Sequence, residues 1–395
     1  MDTKHLWVAI IAGGQGTRLF PISHPGCPKQ FCQLDKKNTF IQAVIENFTS
    51  LNVKPTQIIV ITTDDKQTDL ARQQCLPRGV LSQNIVQIEP DYGYAGAMVR
   101  ASQCIYLLDQ EAIVINTPAD QYLLANEDFR NAVKSAVFQV DETDDAVIVG
   151  TKVGDIVTAM GCGHAIYEED YGPCYPVVKF VEKPDRNLAD KIMRQGNSVC
   201  NTGINVWRAA TVNKFSAQYP YKGISTDKLM EYFDNLKVAV GSFDWHDCGT
   251  LKSLYEISKK TPNHKNANLG GGTFERIDCR RSLLYADEGM ELHVSGAEDD
   301  AVLFTVINER PILVIAKLSE SQKIKRLAED YLAHEDILTA DFSMGARNNF
   351  VLRSNISEDV IAGFVGVNDY HIYVRRKSDG NLDAFVARPC TPKKS

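Results

Sequence analysis

An α/β fold is predicted, with a doubly wound, mixed but mostly parallel sheet followed by a smaller, mostly β C-terminal domain. Three observations predict it. Short, β-branched, nearly continuous apolar runs recur through the first two-thirds of the chain. Such runs suit strands buried on both faces of a parallel sheet. Amphipathic stretches lie between them, and alternating strand and helix signals imply helices on both faces of the sheet. A polar, Gly-rich segment, TPNHKNANLGGG at 261–272, then ends the alternation and marks a boundary.

The elements follow in order. Leu6–Ala12, Gln57–Thr62, Ile85–Glu89 and Ala112–Asn116 are expected as core strands. Phe40, Val44, Ile45, Phe48 and Leu51 share one helical face, with Asn38 or Thr39 as cap. Ala97–Leu108 and Phe129–Val140 read as helices in the same way. Strands are expected at Ala146–Lys152, Val177–Val181, Gly203–Trp207 and Val238–Phe243, with helices at Ala209–Gln218 and Thr250–Lys259. Beyond the boundary come short strands at Ser282–Tyr285, Leu292–Val294, Ala301–Val306 and Ile312–Lys317, one helix at Glu320–Ala333, and a strand-rich block at Asn349–Ala387. The expected domains are 1–265, 266–338 and a β-rich extension, 339–395. No internal repeat is evident.

Composition narrows the function. Among 395 residues, 43 are Lys or Arg and 50 are Asp or Glu, giving a net charge of −7. A broad nucleic-acid or anionic-membrane surface needs a basic excess, so neither partner is expected. No apolar run approaches the ~20 residues of a membrane span. Leu6–Ala12 ends in Gly13-Gly14 and reads as a strand, not a signal peptide. The ten cysteines form no CxxC pair, so reduced, buried thiols in a cytoplasmic protein are expected.

The most informative segment leaves the first strand directly: Ile11-Ala12-Gly13-Gly14-Gln15-Gly16-Thr17-Arg18-Leu19-Phe20-Pro21, then Pro28-Lys29-Gln30-Phe31. Its glycines let backbone N–H groups approach a ligand. Arg18 and Lys29 supply a fork and a point charge for polyphosphate. A P-loop is excluded, because no Gly-Lys occurs in the chain. A dinucleotide fingerprint is excluded too, because Leu19 stands where its third glycine belongs. Elsewhere there is no HExxH or GxSxG, and the cysteines lack zinc-ligand spacing.

The run A-G-G-x-G-T-R-L-x-P…P-K-Q-F resembles the signature of the sugar-1-phosphate nucleotidyltransferases. Its P-K-Q-F ending resembles their mannose-1-phosphate guanylyltransferase branch. Further matches follow in family order: Glu89-Pro90, Pro118-Ala119-Asp120, Phe180-Val181-Glu182-Lys183-Pro184, Asn201-Thr202-Gly203, Ser225-Thr226-Asp227, and Trp245-His246-Asp247-Cys248-Gly249-Thr250. The likeness covers roughly residues 6–335.

The resemblance implies a Rossmann-like, GT-A-like catalytic domain and transfer of a guanylyl group from GTP to mannose 1-phosphate, giving GDP-mannose and pyrophosphate. It implies nucleotide contacts at Ala12, Gly13, Gly14, Gly16 and Thr17. Arg18 and Lys29 would sit on the leaving pyrophosphate. Asp120 and Asp247 would hold Mg²⁺, which takes one or two carboxylates and completes its shell with water and phosphate. Lys183 would face the sugar phosphate, Glu182 and Asn201 the hydroxyls, and Gly163, paired in motif with Gly161, would let the chain approach the ring. Guanine offers N1–H and N2 donors, so a carboxylate is its natural partner, and Glu89 is the candidate. A homo-oligomer is expected, a dimer first. The chain departs from the family at Gly93-Tyr94-Ala95-Gly96-Ala97 and at Met160-Gly161-Cys162-Gly163-His164. Another sugar phosphate, or a non-catalytic nucleotide-sugar sensor, are therefore the alternatives. His164 reads as a structural histidine. A second, cupin-type isomerase activity needs clustered histidines, and beyond residue 340 the chain has only His371.

Overall fold

The computed structural model describes residues 3–14, 16–35, 37–307, 310–325, 328–329, 349–353, 371–376 and 382–387. They fall into two compact units. One comprises residues 1–13 and 40–247, the other 14–39 and 248–395. The Gly-rich loop, from Gly14 onward, thus groups with the C-terminal residues rather than with the strand it leaves.

The first unit carries eleven strands and eight α-helices among its described residues. In chain order these are β1 Leu6–Ile11, α1 Phe40–Thr49, β2 Ile58–Thr62, α2 Asp65–Cys75, β3 Ile85–Gln87, α3 Gly93–Leu108, β4 Ile113–Pro118, β5 Tyr122–Leu123, α4 Glu127–Thr143, β6 Ala146–Thr151, α5 Ile156–Gly161, β7 His164–Tyr167, β8 Tyr175–Val181, α6 Arg186–Gln195, β9 Ser198–Arg208, α7 Ala209–Gln218, α8 Thr226–Glu231, β10 Leu236–Gly241 and β11 Trp245–His246. Nine strands form one sheet in the order β3-β2-β1-β4-β9-β6-β10-β8-β7. β1 pairs parallel with β2 and β4, and β6 with β10. β9 runs antiparallel to β4 and β6, and β8 antiparallel to β10 and β7. Five of β1's six residues are buried, as the continuous apolar run requires of a strand covered on both faces. Trp207 anchors the core: it is buried, stacks on Phe233 at 5.5 Å, and donates its indole N–H to Ser102 at 2.9 Å.

Every strand expected in this region forms, within a few residues. The main extension is β9, which begins at Ser198 rather than Gly203. α2, α5, α6 and α8 were not expected. α2 hides because its buried face is largely polar. Gln67 and Thr68 are buried there, with Thr68 Oγ1 2.7 Å from Thr62 Oγ1 and 3.0 Å from Gln87 Oε1.

The second unit holds α9 Leu251–Ile257, β12 Ala267–Leu269, β13 Thr273–Ile277, β14 Leu283–Ala286, β15 Glu291–Ser295, β16 Asp300–Ile307, β17 Arg310–Lys317, β18 Asn349–Arg353, β19 His371–Arg376 and β20 Leu382–Ala387. Its first strands form a parallel coil, to which β16–β17–β18 and β19–β20 add antiparallel pairs. β12, β14 and β16 stack in parallel, and so do β13, β15 and β20. Leu284, Ala286, Leu292, Val294 and Phe304 fill the coil. Thus a structural repeat exists where none is evident in sequence, because successive rungs share apolar character and no spelled motif. Leu318–Lys323 is a 3-10 turn. Of the expected helix at 320–333, residues 320–323 belong to this turn and 324, 325, 328 and 329 are helical, while 326, 327 and 330–333, like most of the extension at 339–395, lie outside the described residues.

Candidate active site

The described part of the Gly-rich loop is built on one close approach. Gly16 has φ +64°, and an added Cβ would collide with Lys29 Cβ. Only glycine fits there. Gln30 Nε2 donates to Gly14 O at 2.9 Å, and Ser23 Oγ donates to Gly16 O. The G-G-x-G-T-R and P-K-Q-F segments therefore fold onto each other. Leu19, Phe20 and Phe31 are buried beneath them, Lys29 is buried, and Arg18 is exposed. Cys27 and Cys32 bracket Lys29 with sulfurs 3.5 Å apart. That sulfur contact and burial push the Cys32 thiol up.

In the first unit, Ala12 N–H donates to Ile61 O at 2.8 Å, and Thr63 Oγ1 donates to Gly13 O at 3.2 Å. These bonds fix the path by which β1 enters the loop. Ala119 N–H donates to Ile11 O at 3.0 Å, which sets the end of β4 beside the end of β1. Asp120 follows at once, at the carboxyl ends where ligands of such sheets sit. Past it, β5 pairs antiparallel with β11, with Tyr122 opposite His246. Trp245 Nε1 donates to Gln121 Oε1 at 2.6 Å. Asp120 lies two residues before β5 and Asp247 one residue after β11. The two metal candidates thus lie at the same end of one short ribbon, and both are hard oxygen donors suited to Mg²⁺.

The sugar candidates also converge. Asn201 N–H donates to Gly163 O at 2.7 Å. An added Cβ on Gly163 would lie 2.6 Å from Glu182 Oε2 and 2.6 Å from the Phe180 ring. Gly163 must be bare, whereas Gly161 has no atom within 4 Å of its would-be Cβ. Glu182 pairs with Lys183 Nζ at 3.4 Å. Lys183 lies two residues past the end of β8, at φ +41°, outside the strand alternation. Asn201 Oδ1 accepts from Gly203 N–H at 2.8 Å.

Some participants were not legible in the sequence. Tyr94 is half-buried and its hydroxyl donates to Gly203 O at 3.0 Å. Burial first, and the Asp120 carboxylate second, hold its phenol well above the usual range. Tyr94 therefore links the Asp120 and Asn201 neighbourhoods. Its signal was the departure at 93–97. Lys222 forms an ion pair with Glu89 and lies 3.4 Å from Asp91 and 5.0 Å from the Tyr92 ring centre. These carboxylates raise the Lys222 ammonium. Glu89 is exposed and caps no strand; it precedes the 3-10 turn Pro90–Tyr92.

The cysteine expectation needs one correction. Cys162 and Cys200, separated by 38 residues, are joined as a disulfide with Cα atoms 5.8 Å apart. The other described cysteines are in no disulfide. The bond comes from β7–β9 pairing, which places His164 opposite Cys200 and which no spacing rule anticipates. His164 is buried, as expected of a structural histidine. Its Nε2 donates to Ala159 O at 2.7 Å and lies 3.7 Å from Cys162 Sγ.

A Gly-rich segment after the first strand of a doubly wound sheet, with candidate metal carboxylates beyond the strand ends, fits a nucleotidyltransferase. The chain belongs to the nucleotidyl transferase family, whose model matches residues 8–264. It is 24% identical to "Mannose-1-phosphate guanylyltransferase 2" of Escherichia coli O157:H7, over 85% of this chain and 77% of that protein. It is 25% identical to "Mannose-1-phosphate guanylyltransferase RfbM" of Salmonella typhimurium, over 83% and 72%. Its fold matches the crystal structure of mannose-1-phosphate geranyltransferase from Thermus thermophilus, with TM-score 0.68, 22% identity, and coverage of 83% and 99%. The chain is an enzyme of the sugar-1-phosphate nucleotidyltransferase type. Among the described residues, no helix is long and apolar enough to cross a membrane.

Proposed function

We propose that the enzyme transfers a guanylyl group from GTP to α-mannose 1-phosphate, releasing pyrophosphate and GDP-mannose. The observation that carries this reading is the convergence of Gly163, Glu182, Lys183 and Asn201, a set matched to one small polyhydroxylated phosphate. Relatives named for mannose 1-phosphate support the choice of sugar.

The sugar phosphate is ionised at neutral pH, so its oxygen needs no general base. Attack at the α-phosphorus is in line, and the protein contributes position and charge. Lys183 orients the attacking phosphate. Glu182 and Asn201 hold ring hydroxyls, and bare Gly163 admits the ring. Arg18 and Lys29 stabilise the charge that builds on pyrophosphate. The backbone from Ala12 to Thr17 lines the triphosphate. Glu89 accepts from guanine N1–H and N2. A carboxylate has lone pairs for both guanine and Lys222. Asp120 and Asp247 would hold Mg²⁺, which when bound supplies neutralisation of phosphate charge. The enzyme works as a homo-oligomer, a dimer first, in the cytoplasm.

Two outcomes test this. Pyrophosphate release, measured across a grid of nucleoside triphosphates and sugar 1-phosphates, should be fastest with GTP and mannose 1-phosphate. Mannose 1-phosphate should exceed glucose 1-phosphate in kcat/KM by at least about tenfold, ~1.4 kcal/mol of differential transition-state binding. A site that hydrogen-bonds a substrate hydroxyl rejects the analogue that leaves its groups unpaired. A preference for another sugar reassigns the substrate and keeps the chemistry. Asp120→Asn and Asp247→Asn should each raise the Mg²⁺ concentration needed for half-maximal rate. Full activity of the parent enzyme in excess chelator would refute the metal assignment.

A further inference from the structure

We infer that the Cys162–Cys200 disulfide is a reversible clamp that positions the sugar-phosphate subsite. The inference rests on the reading of Gly163 and Asn201 as sugar contacts. Each cysteine immediately precedes one of them: Cys162 precedes Gly163, and Cys200 precedes Asn201. The disulfide therefore lies one residue from the Asn201 N–H to Gly163 O bond, 2.7 Å long. On its N-terminal side Gly163 follows a short connection tied to β7 by the His164 Nε2–Ala159 O bond. α5 has six residues, too few to persist alone, and only Ala159 within it is buried. Val157 is 64% exposed. Asn201 stands where β9 meets the register shift between Val149 and Gly150. The disulfide joins this thinly packed connection to the sheet at the point where the ring must be gripped.

The environment also suits opening and closing. A dithiol reductant attacks one sulfur as thiolate and forms a mixed disulfide, while the other sulfur leaves as thiolate. The reductant's second thiol then displaces the remaining cysteine and closes a cyclic disulfide. The reductant loses two electrons and two protons, and the pair gains them as two thiols; closing is the reverse exchange, with a disulfide of that reductant class as the two-electron acceptor. His164 Nε2 lies 3.7 Å from Cys162 Sγ, and its N–H is committed to Ala159 O at 2.7 Å, so the proton for the released thiolate comes from the reductant. Both sulfurs belong to buried residues, at 5% and 0% exposure, so exchange waits on local opening and the closed form persists.

The test compares the full-length enzyme oxidised and after excess dithiothreitol. Peptide mapping under non-reducing conditions should find the Cys162–Cys200 linkage in the oxidised protein. Reduction should raise KM for mannose 1-phosphate at least about threefold, the loss expected when a freed segment must be re-ordered on binding. KM for GTP and kcat should stay within about twofold. The doubly substituted Cys162→Ser, Cys200→Ser enzyme should show the higher KM and no response to reductant, while Cys27→Ser should respond like the parent. If the double variant does not fold, the parent's two states still decide. Absence of the linkage, a zinc ion bound by Cys162, His164 and Cys200, or a sugar KM unchanged by reduction would overturn the clamp and leave the proposed reaction standing. Absence of turnover and of sugar-phosphate binding in both states would instead overturn the reaction, and the clamp with it.

Discussion

Arg18→Ala should lower turnover by roughly 10²–10³ with the fold intact. That is the usual loss for one preorganised group that stabilises developing charge, about 3–4 kcal/mol. The neighbours of Arg18 do the folding work. Leu19 and Phe20 are buried, while Arg18 is exposed on the 3-10 turn Thr17–Leu19. Truncation removes a cation without opening a cavity. Pyrophosphate release and thermal melting, measured on the same sample, separate the two effects. Near-normal turnover in a folded variant would remove Arg18 from the reaction. Lys29 is a poorer probe, because it is 4% exposed and packs against Gly16, so its truncation would also disturb the loop.

The sheet was legible because burial on both faces leaves a plain mark. Ile58–Thr62 is apolar but for its last residue and wholly buried, and so short an apolar run between polar segments reads as a strand. Legibility failed where an element buries polar atoms. α2 packs Gln67 and Thr68 inward, so its apolar periodicity is faint. The first half of β9 carries Asn201 and Thr202, which serve local hydrogen bonds rather than the core: Thr202 Oγ1 donates to Val149 O at 2.7 Å. A functional strand therefore looked like a loop. The parallel coil of the second unit was missed for a different reason. Its rungs are short and mutually dissimilar, and strand direction leaves no trace in a short apolar run.

The site divided along the same line. Arg18, Lys29, Asp120, Lys183 and Asp247 are spelled in contiguous motifs, and a motif survives being read as text. Tyr94, Lys222 and the Cys162–Cys200 bond depend on chain segments 38 to 133 residues apart meeting in space. Tyr94 touches Gly203 across a separation of 109 residues. No local pattern reports such a contact. The departure at 93–97 marked the place without giving its role.

Gly203→Ala should destabilise the enzyme by about 2–4 kcal/mol and weaken sugar and metal together. Gly203 has φ +77°, and an L-residue there costs about 1–2 kcal/mol. Its Cβ would stand 2.6 Å from Pro118 Cγ and 3.0 Å from Pro118 Cδ. A proline ring cannot swing aside, so β4 or β9 must move, and such overpacking costs typically 1–3 kcal/mol. The stiffer unfolded chain returns roughly 0.4–1 kcal/mol. The displacement is badly placed for function. Pro118 leads through Ala119 to Asp120. Gly203 N–H is held by Asn201 Oδ1, and Gly203 O by the Tyr94 hydroxyl. A shift of either strand therefore moves a metal candidate and a sugar candidate at once, and both KM for mannose 1-phosphate and the Mg²⁺ requirement should rise. Gly161→Ala is the matched control. It lies in α5, has no positive φ, and its Cβ would meet no atom within 4 Å, so its denaturant midpoint should stay near the parent's. Equal midpoints for the two variants would show that the Gly203 contact does not hold β4 and β9 in place.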